Sequence, residues 1–236
     1  MSRHTDFAAP EGVRVRGAVV VVPGRGETQA TYARLGRRLA ADAYQVRVID
    51  PASLDDAVAD AADLPRPLVL LGADSGAAAI AALLEAHDST APWWPEAVVL
   101  AGLPGRAAGL EGGWDTELDA RTSCPVHRET LTSDPAVERG ALGTALPDDL
   151  VAPAYHPTTD IPRLVLVGDA DPLADRAALA TAVKALPRAR LSVVHGAHHD
   201  VLNDRQHRSV AAEIVAFLET VGNDLVPVIT VAAGTW

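Results

Sequence analysis

The run Leu68-Val69-Leu70-Leu71-Gly72-Ala73-Asp74-Ser75-Gly76-Ala77 carries an apolar strand straight into a helix through one tight turn. Small residues flank that turn. They are what it requires, because a larger side chain beside the apex would collide with the neighbouring strand and helix. The apex side chain is thrown into the space above the sheet, where the helix start adds unpaired N–H groups and partial positive charge. A carboxylate or hydroxyl held there can attack an electrophilic carbon, so the stretch reads as a nucleophile elbow. Two frames fit it. Gly72 and Gly76 as the flanking pair put Asp74 at the apex, whereas Ala73 and Ala77 as the pair put Ser75 there. Three other groups of reactive residues follow apolar runs: Pro23-Gly24-Arg25-Gly26-Glu27, Gly168-Asp169-Ala170-Asp171-Pro172 and His195-Gly196-Ala197-His198-His199-Asp200.

These groups need elements to hold them. Ala18–Val22 is an unbroken β-branched run closed by Pro23-Gly24, the mark of a strand buried on both faces. Tyr44–Ile49, Leu68–Leu71, Ala97–Leu100, Arg163–Val167 and Arg190–Val194 read as further strands. Helical spacing of apolar residues marks Thr31–Ala41, Ser53–Asp63, Gly76–His87, Leu173–Leu186 and a last helix within Val201–Val221. Strands alternating with helices imply an α/β fold with a mostly parallel sheet covered on both faces. Ligands of such sheets sit at the carboxyl ends of the strands, which is where the four reactive groups fall.

About sixty residues separate Leu100 from Arg163, where a crossover needs only a dozen or so. The excess reads as a helical lid over the carboxyl edge, with Asp134-Pro135 as a helix start. The tail 223–236 contains Val226-Pro227-Val228-Ile229-Thr230-Val231, which is strand-like and could pair along a sheet edge or with a second copy of the chain.

Of the 236 residues, 48% are hydrophobic and 22% charged, which supports a packed core and excludes a disordered chain. The formal net charge is −11 with no basic run, which argues against nucleic acid as a partner. No apolar stretch is long enough to span a bilayer, and Met1–Arg16 lacks the apolar core of a signal peptide, so a soluble, cytoplasmic protein is expected. The single cysteine, Cys124, excludes an internal disulfide. Cys124-x-x-His127 offers two metal ligands where a site needs three or four, so no metal is expected.

With these motifs in order, the chain resembles the α/β-hydrolase superfamily over about Ala18 to Val221. Residues 1–222 would then form one domain, with the lid at about 103–160. The resemblance implies a triad in the chain order nucleophile, acid, histidine: Asp74 or Ser75, then Asp171, then His199. Asp169 is the rival acid and His198 the rival histidine. Backbone N–H groups of Arg25 and Ser75 would make the oxyanion hole. Gly72-Ala73-Asp74-Ser75-Gly76 is similar to the Gly-x-Asp-x-Gly elbow of epoxide hydrolases and haloalkane dehalogenases. The implied activity is cofactor-independent hydrolysis of a small, mostly apolar substrate through an enzyme ester on Asp74. A serine esterase, thioesterase or lactonase using Ser75 is the alternative. Trp114, with Trp93 and Trp94, could replace the missing halide donor, and Tyr155 could protonate an epoxide oxygen; Trp114 and Tyr155 are the expected substrate contacts.

Two readings from other classes stand beside this one. Val19–Asp50 also has the order strand, Gly24-x-Gly26, helix, strand, Asp50 of a dinucleotide-binding oxidoreductase. A noncatalytic small-molecule binding protein could use the same fold.

Overall fold

The structure is a computed structural model and describes residues 4–50 and 54–233. Seven strands form one sheet in the order β1-β3-β2-β4-β5-β6-β7. They are β1 (His4–Phe7), β2 (Gly17–Val22), β3 (Tyr44–Ile49), β4 (Leu68–Ala73), β5 (Ala97–Ala101), β6 (Arg163–Gly168) and β7 (Ala189–Val194). Pairing is parallel throughout except for β1, which runs antiparallel to β3 along one edge. Six strands are legible as apolar runs. The edge strand β1 is not, because His4-Thr5-Asp6-Phe7 buries little and carries no apolar pattern.

The apolar runs of β2, β4, β5 and β6 are buried at every position. Alternation of side chains across a strand then feeds two cores. Val20, Leu70, Leu100 and Val165 point to one face, beneath α3 (Ser75–Ala86), α6 (Asp148–Tyr155) and α7 (Arg176–Lys184). Val19, Val21, Leu71 and Leu166 point to the other, beneath α1 (Ala33–Ala41) and α8 (His207–Val221). The short helix α2 (Leu54–Ala59) completes the crossover from β3 to β4, and Ser53, placed at its start by the sequence, lies outside the described residues.

The insertion contains α4 (Trp114–Arg121), α5 (Pro125–Ser133) and α6. Its first half covers the carboxyl rim. It is held there by His199 N–H donating to Ala120 O (3.1 Å) and Glu138 N–H donating to Gly26 O (2.9 Å). Its second half is not lid, because Val151, Ala154 and Tyr155 of α6 belong to the main core beside α3. The expected helix start at Asp134-Pro135 is a helix end instead: Asp134 closes α5, and its Oδ1 accepts the N–H of Ala136 (2.9 Å). The proline that opens a helix is Pro125, at the first turn of α5. The tail forms no strand over Val226–Val231, and Val226, Val228, Ile229 and Val231 stand exposed. Among the described residues no helix is long and apolar enough to cross a membrane.

Sterics choose between the two elbow frames. A Cβ on Gly76 would lie 2.3 Å from Val22 O, and one on Gly72 would lie 2.5 Å from the backbone of Gly76 and Ala77. Both positions therefore demand glycine, and the apex between them is Asp74, at φ 46° and ψ −115°. That conformation costs a non-glycine residue about 1–3 kcal/mol and survives only because the packed strand and helix impose it. Gly76→Ala is expected to lower unfolding free energy by about 1–3 kcal/mol in urea titrations, with Gly72→Ala behaving alike. Ala79→Gly, on the same helix but away from the turn, should cost about 1 kcal/mol or less.

Candidate active site

The carboxyl ends of β4, β6 and β7 bring three side chains into one buried chain. Asp74 Oδ1 lies 3.2 Å from His199 Nε2, and His199 Nδ1 lies 3.0 Å from Asp171 Oδ2. All three residues are buried: Asp74 is 4% exposed, His199 2% and Asp171 7%. The other Asp171 oxygen accepts the N–H of Leu173 at 2.8 Å, which fixes the carboxylate at the head of its loop. The rivals fall elsewhere. His198 bonds Asp204 (Nδ1 to Oδ2, 2.9 Å), and Asp169 bonds the exposed His195 (2.8 Å).

Ser75 is the first residue of α3 and does not occupy the apex. The imidazole is aimed at Asp74, so a serine at the apex, as the alternative frame required, is replaced by a carboxylate. Oδ2 of Asp74 accepts the backbone N–H of Arg25 at 2.9 Å.

Reasoning from sequence assigned Arg25 only its backbone. Its side chain does more. Nε donates to Asp74 Oδ2 (2.8 Å) and Nη2 donates to Asp74 Oδ1 (2.8 Å), a two-pronged ion pair, while Nη1 donates to the lid carbonyl of Thr144. Burial alone would raise the Asp74 pKa; the hydrogen bonds and charges of His199 and Arg25 outweigh it and hold the carboxyl well below the usual range. Burial likewise opposes a charged His199, but Asp171 and Asp74 together push its pKa up to about 10.

Behind the Arg25 loop sits a second buried group that sequence reasoning missed. Arg121, with no exposed surface, donates to Glu117 Oε1 (Nε 3.0 Å, Nη2 2.8 Å) and to Arg25 O (2.7 Å), and its Nη1 lies 3.4 Å from Asp200 Oδ1. His127 Nε2 bonds Asp200 Oδ2 at 2.8 Å. Glu27 accepts the N–H of Gly24 (2.9 Å) and the hydroxyl of Tyr32, and its pKa is raised to about 7, first by burial and then by Asp200. The Glu117/Arg121 pair, four apart on α4, looks in sequence like an ordinary solvated pair. Nothing local signals its burial.

Donor atoms of Glu27, His127 and Asp200 lie within 4.8 Å of one another, so these three could each offer one ligand to a cation. Arg121 and the His127–Asp200 bond already engage the same carboxylate. Cys124 does not join His127; its sulfur lies 3.6 Å from Arg34 Nη1.

Two expected substrate contacts are not at the elbow. Trp114 packs with Leu118, Leu131 and Val137 inside the lid, beneath the Arg139 guanidinium. Tyr155 is buried and donates its hydroxyl to Pro104 O (3.0 Å), beside a cavity of about 930 Å³ between α6 and α7 that is lined by none of Asp74, Asp171 and His199. Trp93 and Trp94 pack with the main core on the α3 face. The dinucleotide reading fails at its glycine turn. Glu27 occupies the Gly24 N–H that a phosphate would need, and a Cβ on Gly26 would already lie 2.4 Å from the lid carbonyl of Glu138.

Access to Asp74 is narrow. A void of about 10 Å³ adjoins Glu27, Tyr32, Asp74, His199 and Asp200, about the space of one water. A cleft of about 440 Å³ opens on the other side of the turn, lined by Arg25, Glu27, Ser75, Glu138 and Thr144 among small residues. Its lining is more polar than the mostly apolar pocket expected.

Solved structures share this architecture. The chain is similar to the monoacylglycerol lipase of Paleococcus ferrophilus (19% identity over 92% of this chain and 98% of that one, TM-score 0.72). It is similar to a soluble variant of the Saccharomyces cerevisiae monoglyceride lipase (15%, 92% and 91%, 0.71). An esterase from Rhodococcus sp. matches too (18%, 92% and 95%, 0.63). No protein-family model and no curated protein matches the sequence. The chain has the α/β-hydrolase fold.

The charges make a testable statement about the site. A histidine whose folded pKa is raised adds stability that is complete below its ordinary value, 6.5, and is lost as pH rises toward about 10. The stability gap between wild type and His199→Gln should therefore shrink across that window in urea titrations. In nitrogen-edited NMR the His199 ring should remain protonated past pH 8, and it should titrate lower in Asp74→Asn.

Proposed function

We propose that this protein is a cofactor-independent hydrolase that uses Asp74 as a carboxylate nucleophile, His199 as general base and Asp171 as the group that orients and charges the imidazole. The observation carrying this reading is the Asp74–His199–Asp171 chain, at 3.2 and 3.0 Å, with Asp74 at the positive-φ apex of the elbow. A carboxylate kept ionised by its surroundings suits displacement at a saturated carbon.

In the first step Asp74 Oδ1 forms a bond to the substrate carbon while the bond from that carbon to its leaving group breaks, and the leaving group departs with the electron pair. The product is an alkyl ester on Asp74. Ester formation removes one of the two carboxylates that keep His199 charged, so the imidazole pKa falls, the ring releases its proton to solvent and becomes available as a base. Water then adds to Cγ of the ester, passing its proton to Nε2. Collapse of that adduct breaks the Cγ–O bond to the alkyl group and returns that proton to the departing alcohol oxygen; the acid left on Asp74 then gives its own proton to Nε2, which restores the carboxylate and the charged imidazole. Backbone N–H groups of Arg25 and Ser75 would hold the oxygen that becomes negative. The void beside His199 and Asp74 is where such a water would fit.

A single turnover in heavy-oxygen water, with a panel of small alkyl halides, epoxides and esters, tests the assignment. Label is expected in the peptide containing Asp74. His199→Gln should slow turnover by about 10²–10⁴-fold and accumulate the covalent adduct by mass. Asp74→Asn should form no adduct, and Ser75→Ala should keep forming it. Activity lost in Ser75→Ala but retained in Asp74→Asn would point to the serine instead.

A further inference from the structure

The nucleophile is not free to react as it stands. Both oxygens of Asp74 are held by the Arg25 fork, and Oδ1, the oxygen that faces His199, is among them. An incoming carbon can reach Oδ1 only if Nη2 leaves it. The Arg25 side chain is 10% exposed, so leaving strands a nearly buried guanidinium. Stripping one partner from a buried ion pair is strongly unfavourable, because the other charge is left uncompensated. Alkylation makes matters worse, since the ester carries no charge to offer Arg25 afterwards. An apolar substrate has nothing to put in its place.

The surroundings do not supply a substitute. The buried carboxyls nearby are engaged. Glu27 is bonded to Gly24 N–H and to Tyr32, and its pKa is raised to about 7 by burial and by Asp200. Glu117 and Asp200 are held by Arg121 and His127, and Asp171 by His199. Glu138, on the lid, is exposed at the rim of the cleft. The backbone of Arg25 is pinned by Arg121 at its carbonyl and by the elbow at its N–H, so the mobile part is the side chain, whose outer nitrogen already rests on the Thr144 carbonyl at the edge of the 440 Å³ cleft.

We propose that the site takes an anionic substrate, and that Arg25 is its receptor: a carboxylate or similar oxyanion on the substrate replaces Asp74 as the partner of the guanidinium and thereby frees the nucleophile. This inference rests on the hydrolase reading and names its substrate class. Because Arg25 and Asp74 are in direct contact, the anionic group must sit within two or three bonds of the carbon attacked, as in a small carboxylic acid substituted at its second carbon. Charge then stays matched through the reaction. Arg25 exchanges one carboxylate for another, with the fork geometry suited to either. An idle site stays closed, since the internal carboxylate competes for the same fork.

That competition gives a test that needs no turnover. Acetate and its neutral analogue acetamide are titrated into wild type, Asp74→Asn, Arg25→Gln and the double variant, with Nε resonances of arginine followed by NMR. Removing the internal competitor should tighten acetate binding at least tenfold in Asp74→Asn and leave acetamide unchanged. Arg25→Gln should abolish the acetate preference in both backgrounds. Acetate and acetamide binding alike to folded Asp74→Asn would overturn the proposal, as would acetate tightening that persists in the double variant. Should Asp74→Asn not fold, the wild-type Arg25 Nε signal decides: it should move with acetate and stay with acetamide, and failure to do so overturns the proposal. The heavy-oxygen experiment, run also with small carboxylic acids that carry a leaving group on the second carbon, separates the two claims. Label on Asp74 with no acetate preference sinks the anionic substrate alone; acetate preference without label sinks the nucleophile and leaves the oxyanion site.

Discussion

A carboxylate driven into the interior at the end of a central strand must be met by positive charge, and the rim of this sheet is organised around that need. The elbow places Asp74 where water scarcely reaches it. Left alone it would take up a proton and lose its charge. Arg25 meets it from the β2 loop and His199 from the loop after β7, and each of these is itself held by a further carboxylate or carbonyl. The result is an alternating chain, Arg25–Asp74–His199–Asp171, in which every charge has a neighbour of opposite sign.

The lid serves the same end. Its contribution is less a cover over substrate than a scaffold for the loops that carry charge. Arg121 ties α4 to the Arg25 carbonyl, Ala120 accepts from the His199 backbone, and the Thr144 carbonyl receives the outer nitrogen of Arg25. A movement of the segment around Thr144 would therefore loosen the hold on Arg25.

Much of this was readable in advance, for reasons that differ by residue. Gly72 and Gly76 are legible as the small residues a tight strand-to-helix turn needs, though the carbonyl that crowds Gly76 belongs to Val22 of the neighbouring strand β2. The strand order of types is legible because a strand buried on both faces must be apolar at every position, as β2 and β4 are. Asp171 and His199 were recognisable by their place after a strand, in the order of a known family. Trp114 and Tyr155 lie away from the elbow, because an aromatic residue in an insertion can pack within the lid or against the body as readily as above a site. The edge strand β1 escaped notice for want of any apolar period.

The sequence by itself determined the mostly parallel sheet and the elbow, since these follow from side-chain volume and from periodicities of a few residues, whereas packing around Gly72 and Gly76 put Asp74 rather than Ser75 at the apex. Only the tertiary structure decided which charges are paired. Arg25 and Asp74 are 49 positions apart, and Arg121 lies 96 from the carbonyl it holds. In sequence an arginine is simply a soluble side chain. Whether it faces water or closes on a buried carboxylate depends on which loops the sheet brings together and on the water excluded when they meet.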